Sequence, residues 1–139
     1  MQKTLISLAF ALGIAASSTA AAAECPSLPQ GTGVEWQEAE GTNYKVCRAI
    51  DEAGTQLLGV MLTPEPQLKL RRRNRVEEGM VGRHEVHWYR PEIVEPGAAE
   101  KRVTVIELDD DRYAQIWLDA NDPAQLKRAM HIARLMALY

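Results

Sequence analysis

From Val34 onward, apolar positions come in short runs separated by polar or glycine-containing breaks, a spacing that suits strands. Val34–Glu40, around Trp36, reads as a weak strand ended by Gly41-Thr42-Asn43. Residues 44–50 alternate, with Tyr44, Val46 and Ile50 on one side and Lys45 and Cys47 on the other. Asp51-Glu52-Ala53-Gly54 is a turn. Residues 56–62 are nearly all apolar and predict a central strand. Pro64 and Pro66 end it, because proline lacks the N–H that a strand ladder needs. Residues 67–73 read as a polar edge strand. Arg75–Val81 and His84–Tyr89 flank Gly82-Arg83, and a glycine at the first of two loop positions predicts a type II′ hairpin. Residues 91–100, with prolines at 91 and 96, form a loop. Residues 102–108 and Arg112–Leu118, joined by Asp109-Asp110-Asp111, are the clearest strand pair.

The period then changes. Asp122 is placed to cap a helix and Pro123 to open it. Leu126, Ala129, Met130, Ala133, Met136 and Ala137 fall on one face, with Lys127, Arg128, His131 and Arg134 opposite. Leu135 and Leu138 fall away from the main apolar face, which leaves them to another segment, a partner, a second subunit or a frayed last turn. Strands first and one helix last predict an α+β domain: an antiparallel β-sheet of five to seven short strands with one C-terminal α-helix packed on one face.

The N-terminus belongs to another class of segment. Lys3 precedes an apolar run from Leu5 to Ala16, followed by small residues ending Ala21-Ala22-Ala23. This is the layout of a secretory signal peptide, with cleavage expected after Ala23. The run is shorter than the roughly 20 residues a membrane span requires. Cys25 is not positioned for lipidation, because Glu24 stands where a lipoprotein signal carries a small residue. The expected organisation is a leader over 1–23, an arm with a weak first strand over 24–43, and a single α+β domain over 44–139. Export to the periplasm or medium makes Cys25 and Cys47, the only two cysteines, an expected disulfide.

Composition narrows the field. The chain has 139 residues, 46% hydrophobic and 25% charged, which excludes a collagen, a long coiled coil or a disordered tail. Lys3 is the one charge before Glu24, so the remainder is one unit more acidic than the net −3 of the whole. That balance argues against nucleic-acid binding. Ser27 is the only serine after the leader and lies outside any G-x-S-x-G elbow. Neither a P-loop nor a G-x-G-x-x-G fingerprint occurs. His84 and His87 lie three apart on one strand, so they point to opposite faces and are poor joint metal ligands. The three aspartates lack the calcium-loop spacing. No catalytic residue, metal or cofactor is therefore assigned.

Contact residues remain. Arg71, Arg72, Arg73 and Arg75, with Lys69, form the densest charge run, read either as a charge-protected edge or as a patch for acidic groups. His87, Tyr89 and Arg90 adjoin Trp88, which alternation with Val86 directs inward. Trp, Tyr and Arg are the residue types most enriched in binding hot spots. These features predict a small exported binding protein acting by protein–protein contact, without transmembrane segment or nucleic acid, and they leave a homodimer open. The layout is similar to that of periplasmic inhibitor and immunity proteins that neutralise lysozymes or secreted toxins. The alternatives are an envelope-housekeeping module holding a lipid or small molecule between sheet and helix, and a metal-dependent hydrolase.

Overall fold

The computed structural model describes Gly13 and residues 24–66, 68–92, 100–109 and 111–138. The leader read over 1–23 lies, Gly13 aside, outside the described residues. Seven strands form one antiparallel sheet: β1 Val34–Glu40, β2 Lys45–Asp51, β3 Gln56–Thr63, β4 Arg75–Val81, β5 His84–Tyr89, β6 Arg102–Asp109 and β7 Arg112–Leu118. They lie in the order β1-β2-β3-β7-β6-β5-β4, and the helix α1, Pro123–Leu135, packs on one face. The chain is thus α+β, as its patterning predicts.

Directly paired residues share a face, so the registers trace the core. Trp36, Ala49, Leu58, Leu118 and Arg102 form one row across five strands. Glu38, Cys47, Val60, Ile116 and Thr104 form the next. The helix covers this face with Leu126, Ala129, Ile132 and Ala133, all buried, and packs on β3, β4 and β7. Ile132, absent from the apolar stripe read in the sequence, is part of it. The helix also stops at Leu135, so Met136 reaches the core from an extended segment rather than from a last helical turn. Asp122 accepts a hydrogen bond from the Gln125 N–H at 2.8 Å and caps the helix. Leu135 stays half exposed, while Leu138 packs against the core.

The two terminal segments complete the layer over the sheet. Cys25 and Cys47 form a disulfide that ties the arm to β2. The Trp36 indole N–H donates to the Pro26 carbonyl at 2.7 Å. Ser27 and Ala137 exchange backbone hydrogen bonds at 3.1 and 3.2 Å, so the arm and the segment after the helix lie side by side. On β2 the covered side carries Lys45, Cys47 and Ala49, rather than the more apolar Val46 and Ile50. The tethered arm accounts for this choice.

One expected strand is corrected. Residues 67–73 are not an edge strand: the described residues 68–71 are irregular and Arg72–Asn74 forms a single 3₁₀ turn. The topology supplies the reason. β3 lies mid-sheet and β4 at the edge, so the connection must pass over β7, β6 and β5 and cannot run alongside them. Leu70 in that connection lines a cleft between β5 and β6. These strands pair at Tyr89↔Val103 and splay beyond it. Thr104 bridges part of the opening by donating to the His87 carbonyl at 2.9 Å.

Candidate functional site

The arginine run ends up at one corner of the sheet, where β4 begins and β5 ends. The 3₁₀ turn is closed by the Asn74 N–H donating to the Arg71 carbonyl at 2.9 Å. The Arg90 N–H then donates to the Asn74 carbonyl at 2.8 Å, which fastens the turn to the exit of β5. In this way Arg71, Arg72, Arg73, Arg75 and Arg90, separated by up to 19 positions in sequence, gather at a single corner.

Glu92 organises the corner. Its Oε1 lies 3.1 Å from the Arg71 Nε and 3.3 Å from an Arg73 guanidinium nitrogen, and it accepts from the Asn74 amide at 3.1 Å. Partial desolvation alone would raise the Glu92 pKa. The Asn74 hydrogen bond and the Arg71 and Arg73 guanidinium groups outweigh it and hold the carboxyl below its usual value. The sign follows from linkage: a depressed carboxyl pKa means the pairs are complete at neutral pH and are lost as pH falls through the depressed value. A carbon-detected NMR titration of Glu92 is therefore expected to give a midpoint below the ordinary value of about 4.3. The midpoint should rise toward that value in Arg71→Ala. An unchanged midpoint in the variant would mean that Arg71 does not hold the carboxylate.

Arg75 and Tyr89 are cross-strand partners. The Arg75 guanidinium sits 5.7 Å from the Tyr89 ring centroid and donates to the phenol oxygen at 3.2 Å, which combines a cation–π contact with a hydrogen bond. His87 lies two residues along on the same face, with its Nε2 3.2 Å from Glu78 Oε1. Arg72 and Arg90 are exposed, and their side chains make no ion pair among the described residues. The corner therefore carries five guanidinium groups: two share the single charge of Glu92, and two are exposed without an ion pair among the described residues.

His84 pairs with Val81 on the helix side, whereas His87 pairs with Glu78 on the other side, so the two imidazoles face apart. His131 is exposed on the outer face of the helix. Among the described residues, Cys25, Glu38 and Cys47 are the group whose potential ligand atoms converge, and their two sulfurs are bonded to each other. Asp109 is engaged within its own hairpin. It accepts from the Arg112 Nε at 2.6 Å and from the Asp111 N–H at 3.2 Å, and the Arg112 bond holds its carboxyl below the usual value. Asp110, between them, lies outside the described residues.

Two features were not found by reading the sequence. Glu92 carries no local signal, because its role arises only when a loop residue meets a turn 18 to 21 positions away. The other is a recess beside Tyr44, a residue that stays 48% exposed. No protein-family model, curated protein or solved structure matches this chain significantly.

Proposed function

We propose that this chain is an exported binding protein that engages an acidic protein of the cell envelope through its arginine-rich corner. The supporting observation is that the 3₁₀ turn and the exit of β5 bring Arg71, Arg72, Arg73, Arg75 and Arg90 to one corner, where Arg75 lies against Tyr89 and Glu92 pairs with Arg71 and Arg73. Arginine suits this task because its planar guanidinium binds carboxylates in a forked geometry and keeps its charge. Arg71, Arg73 and Arg75 are pre-oriented by their contacts, so less side-chain entropy is lost on binding. Arg72 and Arg90 supply unpaired charge for steering. The disulfide and the lack of any described helix long and apolar enough to cross a membrane are compatible with a periplasmic or secreted location. An inhibitor or immunity-type protein directed at an envelope-targeting enzyme or toxin is the form of this reading that fits a partner-occluding role.

The test is affinity capture from envelope extract, followed by a binding titration with the captured protein. Arg72→Glu combined with Arg90→Glu removes the unpaired charge without breaking any described contact of either side chain. The pair is expected to weaken binding at least about tenfold, or about 1.4 kcal/mol, and to flatten its salt dependence. A partner that binds both forms equally would exclude the corner as its docking surface. Native mass spectrometry separates the competing class, since a co-purifying lipid or small molecule would favour the housekeeping reading.

A further inference from the structure

Away from the arginine corner, near the opposite edge of the sheet and at the opposite end of its strands, lies a recess of about 270 Å³. Five inter-strand steps separate β2 from β4, roughly 24 Å at about 4.8 Å per strand. Leu62 and Leu108 supply apolar lining, Pro64 forms one lip, and Tyr44 stands at the rim. Gly41 makes room for the ring there: a Cβ at position 41 would lie 2.1 Å from it, so this close approach requires glycine. Tyr44 remains 48% exposed as a residue, at the mouth of an apolar hollow.

The charges around the recess have one dominant sign. Lys45 is clamped by Glu38 at 3.1 Å and Glu40 at 3.4 Å, and its side chain is only 14% exposed. Arg112 is engaged by Asp109 at 2.6 Å. Asp111 also lines the recess and is exposed. Glu40 and Asp111 line the recess together with Lys45 and Arg112, while Glu38 and Asp109, outside the lining, engage those two cations. Four carboxylates thus stand in or beside the recess against two cations that are already paired. An anionic ligand would meet net repulsion, whereas a cationic group would find carboxylates and the electron-rich face of Tyr44 together.

We infer that this recess is a binding site for a small organic cation, an amine or quaternary ammonium carrying a compact apolar body. Size limits the body. The volume exceeds the roughly 150 Å³ apolar cavity that admits benzene and falls just below the range of about 300–1,000 Å³ for drug-sized ligands. A single ring or a short alkyl chain therefore fits. The apolar body lies against Leu62 and Leu108, and the cationic head sits at the rim between Tyr44 and Glu40. The site uses no residue of the arginine corner, so the two readings stand or fall separately.

Three probes of similar size test it: phenethylammonium, 2-phenylethanol and 3-phenylpropionate, each titrated into the oxidised protein and followed by NMR. Phenethylammonium is expected to shift the signals of Tyr44, Leu62 and Leu108, with a Kd at least tenfold below that of the alcohol. Phenylpropionate should produce no saturable shift. Tyr44→Ala is expected to abolish saturable binding. Glu40→Gln, which keeps the shape of a side chain 62% exposed and leaves Lys45 paired with Glu38, should weaken the ammonium severalfold and leave the alcohol unchanged. Equal affinity for the ammonium and the alcohol would overturn the cation assignment. Shifts mapping elsewhere, or no saturation by the ammonium at millimolar concentration, would overturn the site.

Discussion

Gly82→Ala is expected to destabilise the protein by about 3–4 kcal/mol, through backbone geometry and steric overlap together. Gly82 has φ +55°, a conformation that a side chain disfavours by about 1–2 kcal/mol. No described non-glycine residue has positive φ, so Arg83 takes the negative value that the second position of a type II′ turn requires. The register Val81↔His84 agrees with a two-residue loop. The steric part comes from the helix. The Gly82 N–H donates at 3.0 Å to the Ala133 carbonyl of the last helical turn, which also accepts a longer bond of 3.3 Å from the Met136 N–H. A Cβ at position 82 would stand 2.4 Å from the Met136 carbonyl oxygen, a backbone atom that cannot rotate away. Gly54→Ala provides the control, because Gly54 has φ +81° but nothing within 4 Å of its would-be Cβ. That variant should show only the conformational cost of about 1–2 kcal/mol. Urea unfolding of both variants separates the contributions. Equal losses would mean that the hairpin does not dock on the helix terminus in solution.

The same hairpin indicates which information is readable along the chain. Gly82-Arg83 between two alternating runs is a local signal, and so are the Asp122 cap, Pro123 and the apolar run of β3. Each depends on neighbours within a few positions, and each reappears in the structure. Sheet order is of another kind. β7 inserts beside β3, and β4 is sent to the far edge, by contacts between residues tens of positions apart. That placement turned the expected edge strand at 67–73 into a crossing connection. It also made the arginine run a corner, which alternation along a strand would have split between two faces. On β2, alternation alone set Val46 and Ile50 apart from Lys45 and Cys47 without saying which pair is covered; the expected tether of the arm to Cys47 is the signal that points to the latter. Trp88 behaved more simply: its alternation with Val86 places it inward, and it is 1% exposed.

Removing the disulfide is expected to cost about 3 kcal/mol, the chain-entropy value for a cross-link of this span. Cys25 and Cys47 are 22 positions apart, and their bond closes a loop that contains the whole of β1. In the unfolded chain the tether removes conformations. In the folded chain it keeps the arm against β2, where Pro26 accepts the Trp36 indole hydrogen and Ser27 pairs with Ala137. Loss of the tether should therefore loosen the arm and the C-terminal segment together, because each satisfies backbone groups of the other. Cys25→Ala with Cys47→Ala, compared with the reduced native chain, distinguishes tether from packing. Both should lose roughly 10 °C in Tm if the tether dominates. A further loss in the double variant would measure the vacated volume at Cys47, which is fully buried. Trp36 emission should shift to the red in both, since its ring loses the cover of the arm. A reduced protein melting within a degree or two of the oxidised form would show that the arm is held by its packing and hydrogen bonds alone. The predicted dependence also links fold to compartment. A domain that draws about 3 kcal/mol from one disulfide, against a typical total of about 5–15 kcal/mol, reaches full stability only where thiols are oxidised.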